Sequence, residues 1–184
     1  MSGEKKSCRF FILSLVATDR PGIVDDVSKF LFERGCSVED SRMAVLGGEF
    51  TMALLAFGPS KSVQRVQSEL GTLKSESDLM ALFRPTRAPK DSTPANTLPF
   101  RICVTSIDHP GILFKISHLL HEKGINIQSA DTEIHSAPFG GSPLFRLEML
   151  VNVSATQPVS ELRAMLADLA DRENMDVEIH AATS

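Results

Sequence analysis

Two short runs in this 184-residue chain have the make-up of an anion-holding turn. They are Asp19-Arg20-Pro21-Gly22-Ile23-Val24 and Asp108-His109-Pro110-Gly111-Ile112-Leu113, and they stand 89 residues apart. Proline fixes φ, and glycine lets backbone approach a ligand closely. A helix that opens there exposes its first-turn amides, at an end whose partial positive charge favours a carboxylate. The same run is also a good helix-start device, with Asp capping the first turn and no ligand required. From the residues alone both uses stand.

Other chemistry is thinner. His118 and His121 lie three apart, a spacing that suits a metal, yet no carboxylate or thiolate nearby in sequence completes a set, so they read as solvated surface. Glu39, Asp40 and Glu49 form an acidic cluster that reads as a wet edge. Cys8, Cys36 and Cys103 have no Cys-x-x-Cys spacing and read as free thiols in a reduced, cytoplasmic compartment, with Cys36 and Cys103 in apolar runs that suit a core. The Asn152-Val153-Ser154 sequon then has no glycosylating machinery to meet. No nucleophile elbow, phosphate loop, His-Glu-x-x-His or paired catalytic carboxylates occur, so no enzyme is expected.

The elements that carry the two turns are themselves duplicated. Residues 19–44 laid on 108–133 give eight identities: Asp19/Asp108, Pro21/Pro110, Gly22/Gly111, Ile23/Ile112, Ser28/Ser117, Leu31/Leu120, Glu33/Glu122 and Gly35/Gly124. Upstream, Phe11–Ala17 aligns with Phe100–Ser106, so the apolar run after Lys5, Lys6 and Arg9 is a strand and not a signal peptide. Downstream the offset grows by six or seven, so that Phe50 meets Phe145 and Leu70 meets Leu166. The longer second-copy loop Ser136–Pro143 absorbs the difference.

Periodicity then assigns each copy. Residues 10–17 read as a buried strand, and Ile23, Val24, Val27, Phe30 and Leu31 as one face of a helix that Gly35 ends. Strands over Val38–Leu46 and Glu49–Phe57 meet at Gly47-Gly48, a hairpin signal. Val63, Val66, Leu70 and Leu73 mark a second helix, and Leu79–Phe83 a last strand. In the second copy the strand Ile125–His135, strand Leu144–Val153, helix Val159–Asp171 and strand Asp176–Ala181 follow. Each copy is thus βαββαβ, a ferredoxin-like α+β unit with a four-stranded antiparallel sheet and both helices on one face. Expected domains are 8–84 and 98–182, joined by a proline-rich linker over 85–97. Strands apolar on both faces, such as Phe10-Phe11-Ile12-Leu13 and Met52–Phe57, are expected to meet another sheet, from the sibling copy or from a homodimer partner.

Composition removes further classes. Nineteen basic residues against 23 acidic ones give a net charge of −4, and aromatics are Phe alone, with no Trp or Tyr. Direct nucleic-acid binding, which needs clustered cations and stacking platforms, is not expected. Arg84, Arg87 and Lys90 are too few to form a DNA site. No apolar run approaches the roughly 18 residues of a membrane span.

Asp-x-Pro-Gly between the first strand and helix, with Gly124-Ile125-Asn126-Ile127 after that helix, resembles the ACT domain. The first copy carries Gly35-Cys36-Ser37-Val38 there, with Ser in place of Asn. Two such domains and little else are similar to the glycine cleavage system transcriptional repressor family, to which Gly35–Met43 and Gly48–Thr51 also correspond. The resemblance implies an amino-acid-sensing regulator without a cofactor, with an effector such as glycine or serine and a protein partner, either a transcription factor or a metabolic enzyme. It implies that the ligand's carboxylate lies on Asp19–Val24 or Asp108–Leu113 and its amine against Asn126, which in assemblies of this kind often comes from a neighbouring domain, so that the loop it faces stays open. Ser37, shorter and with one hydrogen to donate, ranks second. The alternatives are a ligand-free interaction module and a detached regulatory subunit of a biosynthetic enzyme.

Overall fold

A computed structural model describes residues 8–77, 79–89, 96–107, 109–136 and 142–182. The chain divides into two compact units, Met1–Lys90 and Asp91–Ser184. The first contains β1 (Arg9–Thr18), α1 (Ile23–Glu33), β2 (Ser37–Leu46), β3 (Glu49–Gly58), α2 (Ser60–Ser68), α3 (Leu70–Ser77) and β4 (Met80–Thr86). The second contains β5 (Thr97–Ile107), α4 (Ile112–Glu122), β6 (Asn126–His135), β7 (Leu144–Ser154), α5 (Val159–Glu173) and β8 (Met175–Ala181). Both sheets are antiparallel and four-stranded, in the orders β2-β3-β1-β4 and β6-β7-β5-β8. These are the two ferredoxin-like units that the repeat predicts. Asp108, residues 90–95 of the expected linker and residues 137–141 of the expected loop Ser136–Pro143 lie outside the described residues.

Alternation along the central strands explains the layers. Phe11, Leu13, Leu15 and Ala17 of β1 and Met52, Leu54 and Ala56 of β3 point to one face and pack with Ile23, Val27 and Leu31 of α1 and Val63, Val66 and Leu73 of the later helices. The second unit repeats this with Ile102, Val104, Leu147, Met149, Ile116, Leu120, Leu162 and Leu166. The first helix of each unit ends in a Schellman motif. Gly35 N–H donates to Phe32 O and Cys36 N–H to Leu31 O, and Gly124 and Ile125 repeat the pair on His121 and Leu120.

Three features depart from the expectations. The second helix of the first unit is broken at Glu69 into α2 and α3, whereas α5 is continuous. Gly71 and Thr72, weak helix formers, follow the break. Arg34 fixes it from across, stacked 3.7 Å over Phe30 and paired with Glu69 at 2.7 Å. Neither Asp19 nor the Pro of either Asp-x-Pro-Gly run starts a helix; Gly22 and Gly111 are the caps, and among the described residues no side chain caps either helix start. Cys103 is only half-buried, because it points away from the helices, while Cys36 is core.

Both edge strands β2 and β6 carry a bulge at matching positions, between Val38 and Asp40 and between Ile127 and Ser129. Bulged edges resist uncontrolled pairing. Apolar side chains nevertheless stand exposed, among them Val45 and Leu46 on β2, Met80 and Leu82 on β4, and Ile134 on β6.

Candidate functional site

The Pro-Gly turn is built by the end of the first strand. β1 pairs to Thr18 opposite Glu49, and Asp19 N–H donates to Gly48 O of the hairpin turn at 3.0 Å. Gly22 then adopts φ 95°, ψ −8°, and Gly111 φ 98°, ψ −2°. Those angles belong to the third position of a type II turn, which favours Pro just before it and Gly there. The first helical bonds run from Asp26 N–H to Gly22 O and from Lys115 N–H to Gly111 O, both 2.9 Å. Three amides therefore precede the first bond in each helix: Ile23, Val24 and Asp25, or Ile112, Leu113 and Phe114. With no side-chain cap among the described residues, they are the donors that an anion would meet. Ile23 and Ile112 anchor the turns in the core, whereas Arg20, Pro21, Gly22, Val24, Pro110, Gly111 and Leu113 are exposed.

Charge separates the two turns. Asp25 and Asp26 occupy the first turn of α1, and Arg20 is tied to Asp26 at 2.7 Å. Two carboxylates already answer that helix end and repel a third. The first turn of α4 has no acid; Lys115 stands where Asp26 does, and His109 where Arg20 does. Lys115 pairs with Glu173 at 2.5 Å. Its hydrogen bond is the main cause that holds the Glu173 carboxyl below its ordinary range, with His109 contributing through charge. Among the described residues the first turn of α4 thus carries less negative charge than that of α1.

Asn126 lies at the other end of its sheet. It is opposite Asn152, which is opposite Pro99, while Leu144 and Ile107 mark the end that carries the turn. Eight residues of strand separate the two ends, about 26 Å at roughly 3.3 Å per residue. Ser37 is placed alike, opposite Phe57 and Phe10 and eight residues from Thr18. The predicted turn and the predicted amine partner of one domain therefore cannot touch the same small ligand. The two ends also differ in chemistry between domains. Phe10 and Phe57 stack at 5.3 Å beside Ser37, whereas Pro99 and Asn152 stand beside Asn126.

Asn152 was visible in sequence only as a sequon; its position beside Asn126 requires the β6–β7 register. It is 6% exposed. His118 stacks on Phe114 at 5.5 Å and approaches Glu122 at 3.6 Å on the surface. Among the described residues no three His, Cys, Asp or Glu side chains group to hold a metal. Asp40 pairs with Arg42 at 2.7 Å. A further open cleft of about 960 Å³, unannounced in the sequence, lies beside the start of β1, lined by Arg9, Ser60, Gln64, Gln67, Thr86 and Arg87 among others. Among the described residues no helix is long and apolar enough to cross a membrane.

Comparison with known proteins follows the same lines. Residues 9–84 match the ACT domain family. The glycine cleavage system transcriptional repressors of Escherichia coli K12 and Shigella flexneri are each 30% identical over 122 residues, which is 66% of this chain and 63% of theirs. The chain thus spans less than two thirds of the length of these relatives. An unknown protein from Galdieria sulphuraria superposes with a TM-score of 0.82 at 29% identity, covering 96% of this chain and 99% of that one. A crystal structure described as a candidate glycine cleavage system transcriptional repressor superposes at 0.71 and 21% identity, with the same coverage, and shows the fold. The first unit thus matches the ACT domain family, and the chain as a whole is similar to tandem ACT-domain proteins. Within that class it resembles the glycine cleavage system transcriptional repressor.

Proposed function

We propose that this protein is an amino-acid-sensing regulator and not an enzyme. In it, two ACT domains, 8–84 and 98–182 with the linker between them, change how a protein partner is met when a small amino acid binds. The observation that carries the proposal is the helix start after Gly111, which has no acid in its first turn while its twin after Gly22 has two. The ligand carboxylate takes the amides of Ile112, Leu113 and Phe114. Because Asn126 lies at the far end of its own sheet, the amine meets Asn126 of a second copy of the chain, so the functional unit is a homodimer. Asp108, next to the turn, belongs to the same proposed site. The first-domain set, Asp19–Val24 with Ser37, is the weaker counterpart. Similarity to the named repressors supports glycine metabolism as the setting, with glycine or serine as the proposed effector and a transcription factor as the proposed partner.

Dye-monitored thermal unfolding against a panel of amino acids tests this. A ligand at about 100 times its dissociation constant adds about 2.7 kcal/mol, a rise of about 5–10 °C at this chain length. A rise confined to small amino acids supports the proposal, and a flat panel from a cooperatively unfolding protein overturns it. The exposed Val45, Leu46, Met80 and Leu82 favour a second reading, a ligand-free interaction module. A flat panel together with a captured partner would select it.

A further inference from the structure

Asn152 is a buried polar side chain that the amino-acid site described above does not use. It is 6% exposed, and among the described residues its Oδ1 accepts no hydrogen bond. A buried acceptor left without a donor forfeits its hydration for nothing in return, so such an atom in a well-packed domain calls for a role. Asn152 stands directly opposite Asn126 in the β6–β7 ladder. Directly opposed side chains of an antiparallel pair share a face, with Cβ atoms about 4.5–5.5 Å apart.

The first domain supplies an internal comparison. There the position of Asn152 is taken by Phe57, stacked on Phe10 beside Ser37. An apolar stack fills that corner without leaving a polar atom to satisfy. The second domain replaces both aromatics, with Pro99 and Asn152, and pairs the change with Asn126 in place of Ser37. The polar pair occurs in the domain whose helix start favours a carboxylate.

We propose that Asn152 is a positioning residue for Asn126. Its Oδ1 accepts a hydrogen bond from the Asn126 Nδ2 when an amino acid binds, which turns the Asn126 Oδ1 outward to accept from the ligand's ammonium. An amide has a donor end and an acceptor end, so occupying the donor end fixes which way the acceptor faces. Asn126 is exposed and has room to turn, whereas Asn152 is held by its burial. The proposal rests on the amino-acid site above and adds a residue that sets its preference for an ammonium.

The test is calorimetric titration of the full chain with glycine, serine and glycolate, the last keeping the carboxylate but lacking the ammonium. Asn152→Leu weakens glycine or serine binding about tenfold or more and leaves glycolate within about twofold. Asn152→Asp, which keeps an acceptor in place, stays within about twofold for all three. Asn126→Ala combined with Asn152→Leu binds no worse than Asn126→Ala alone, because the two act as one unit. If Asn152→Leu does not unfold cooperatively, Asn152→Ala replaces it. Amino-acid binding that Asn152→Leu leaves unchanged, or that it weakens equally for glycolate, overturns the assignment alone. Failure of the unaltered chain to bind either amino acid overturns the parent proposal.

Discussion

Alanine at Gly111 and at Gly22 separates the structural role of the Pro-Gly turn from its ligand role. Both glycines have φ near +95°, where an L side chain meets the following carbonyl at a cost of about 1–2 kcal/mol. Neither substitution adds a clash: a Cβ on Gly111 lies 3.9 Å from Lys115 Cε, and one on Gly22 lies 3.7 Å from Arg20 Nη1. The backbone term is therefore the whole cost, and it is the same in the two domains. At this chain length 1 kcal/mol is about 2–4 °C, so each variant should melt at least about 2 °C lower in calorimetry. Only Gly111→Ala should also lose the amino-acid-induced rise, since its Cβ stands beside the amides that hold the carboxylate. A Gly111 variant as stable as the parent would refute the turn geometry. Equal loss of the ligand response in both variants would refute the electrostatic distinction between the domains. Valine at either site adds β-branching to the same strain and confuses folding with binding.

Gly58→Ala should destabilise by about 1–3 kcal/mol in chemical denaturation, since its Cβ would stand 2.9 Å from Cys36 Sγ and 3.1 Å from Gly35 O. Gly71→Ala, in α3 with open space around it, should stabilise by about 0.4–1 kcal/mol in the same assay. Glu69 is held below its ordinary pKa of 4.5, first by the Arg65 hydrogen bond against opposing burial, with Arg34 adding charge. A lowered carboxylate pKa stabilises above the unfolded value and is lost as pH falls through the folded one. The melting difference between the parent and Glu69→Gln should thus be full above about pH 5 and vanish in stronger acid. Burial, with nearby Cys8, raises the Cys36 thiol. Timed alkylation at pH 7.5 should label Cys36 last of the three cysteines.

The duplication carried most of the fold in plain view. Val27, Phe30 and Leu31 recur as Ile116, Leu119 and Leu120, and one helix face read twice excludes chance. Gly47-Gly48, at φ 62° and 88°, formed the hairpin that the dipeptide predicts. The break at Glu69 was hidden because Val63, Val66, Leu70 and Leu73 keep helical spacing across it; a salt bridge from Arg34, 35 residues earlier, is not a local signal. The caps were misread for a related reason. Asp and Pro are helix-start residues by preference, but here they belong to a turn that delivers Gly to the cap.

The candidate site was legible as residue types and not as an arrangement. Asn126 and the Gly111 turn are 15 positions apart in the chain, yet the antiparallel return of α4 puts them at opposite sheet ends. Asn152 had no sequence signal apart from a sequon, because its significance lies in what stands across from it. The charge reversal from Asp26 to Lys115 was present in the repeat alignment. It acquires meaning only once both are known to follow an uncapped helix start.

Calorimetric titration of the intact chain with glycine and with serine tests the central claim most directly, because it reads binding and stoichiometry together. The account predicts saturable binding of at least one of them, near one molecule per chain, that Gly111→Ala abolishes and Gly22→Ala preserves. No saturable heat from either, with the protein folded by its melting transition, would contradict it.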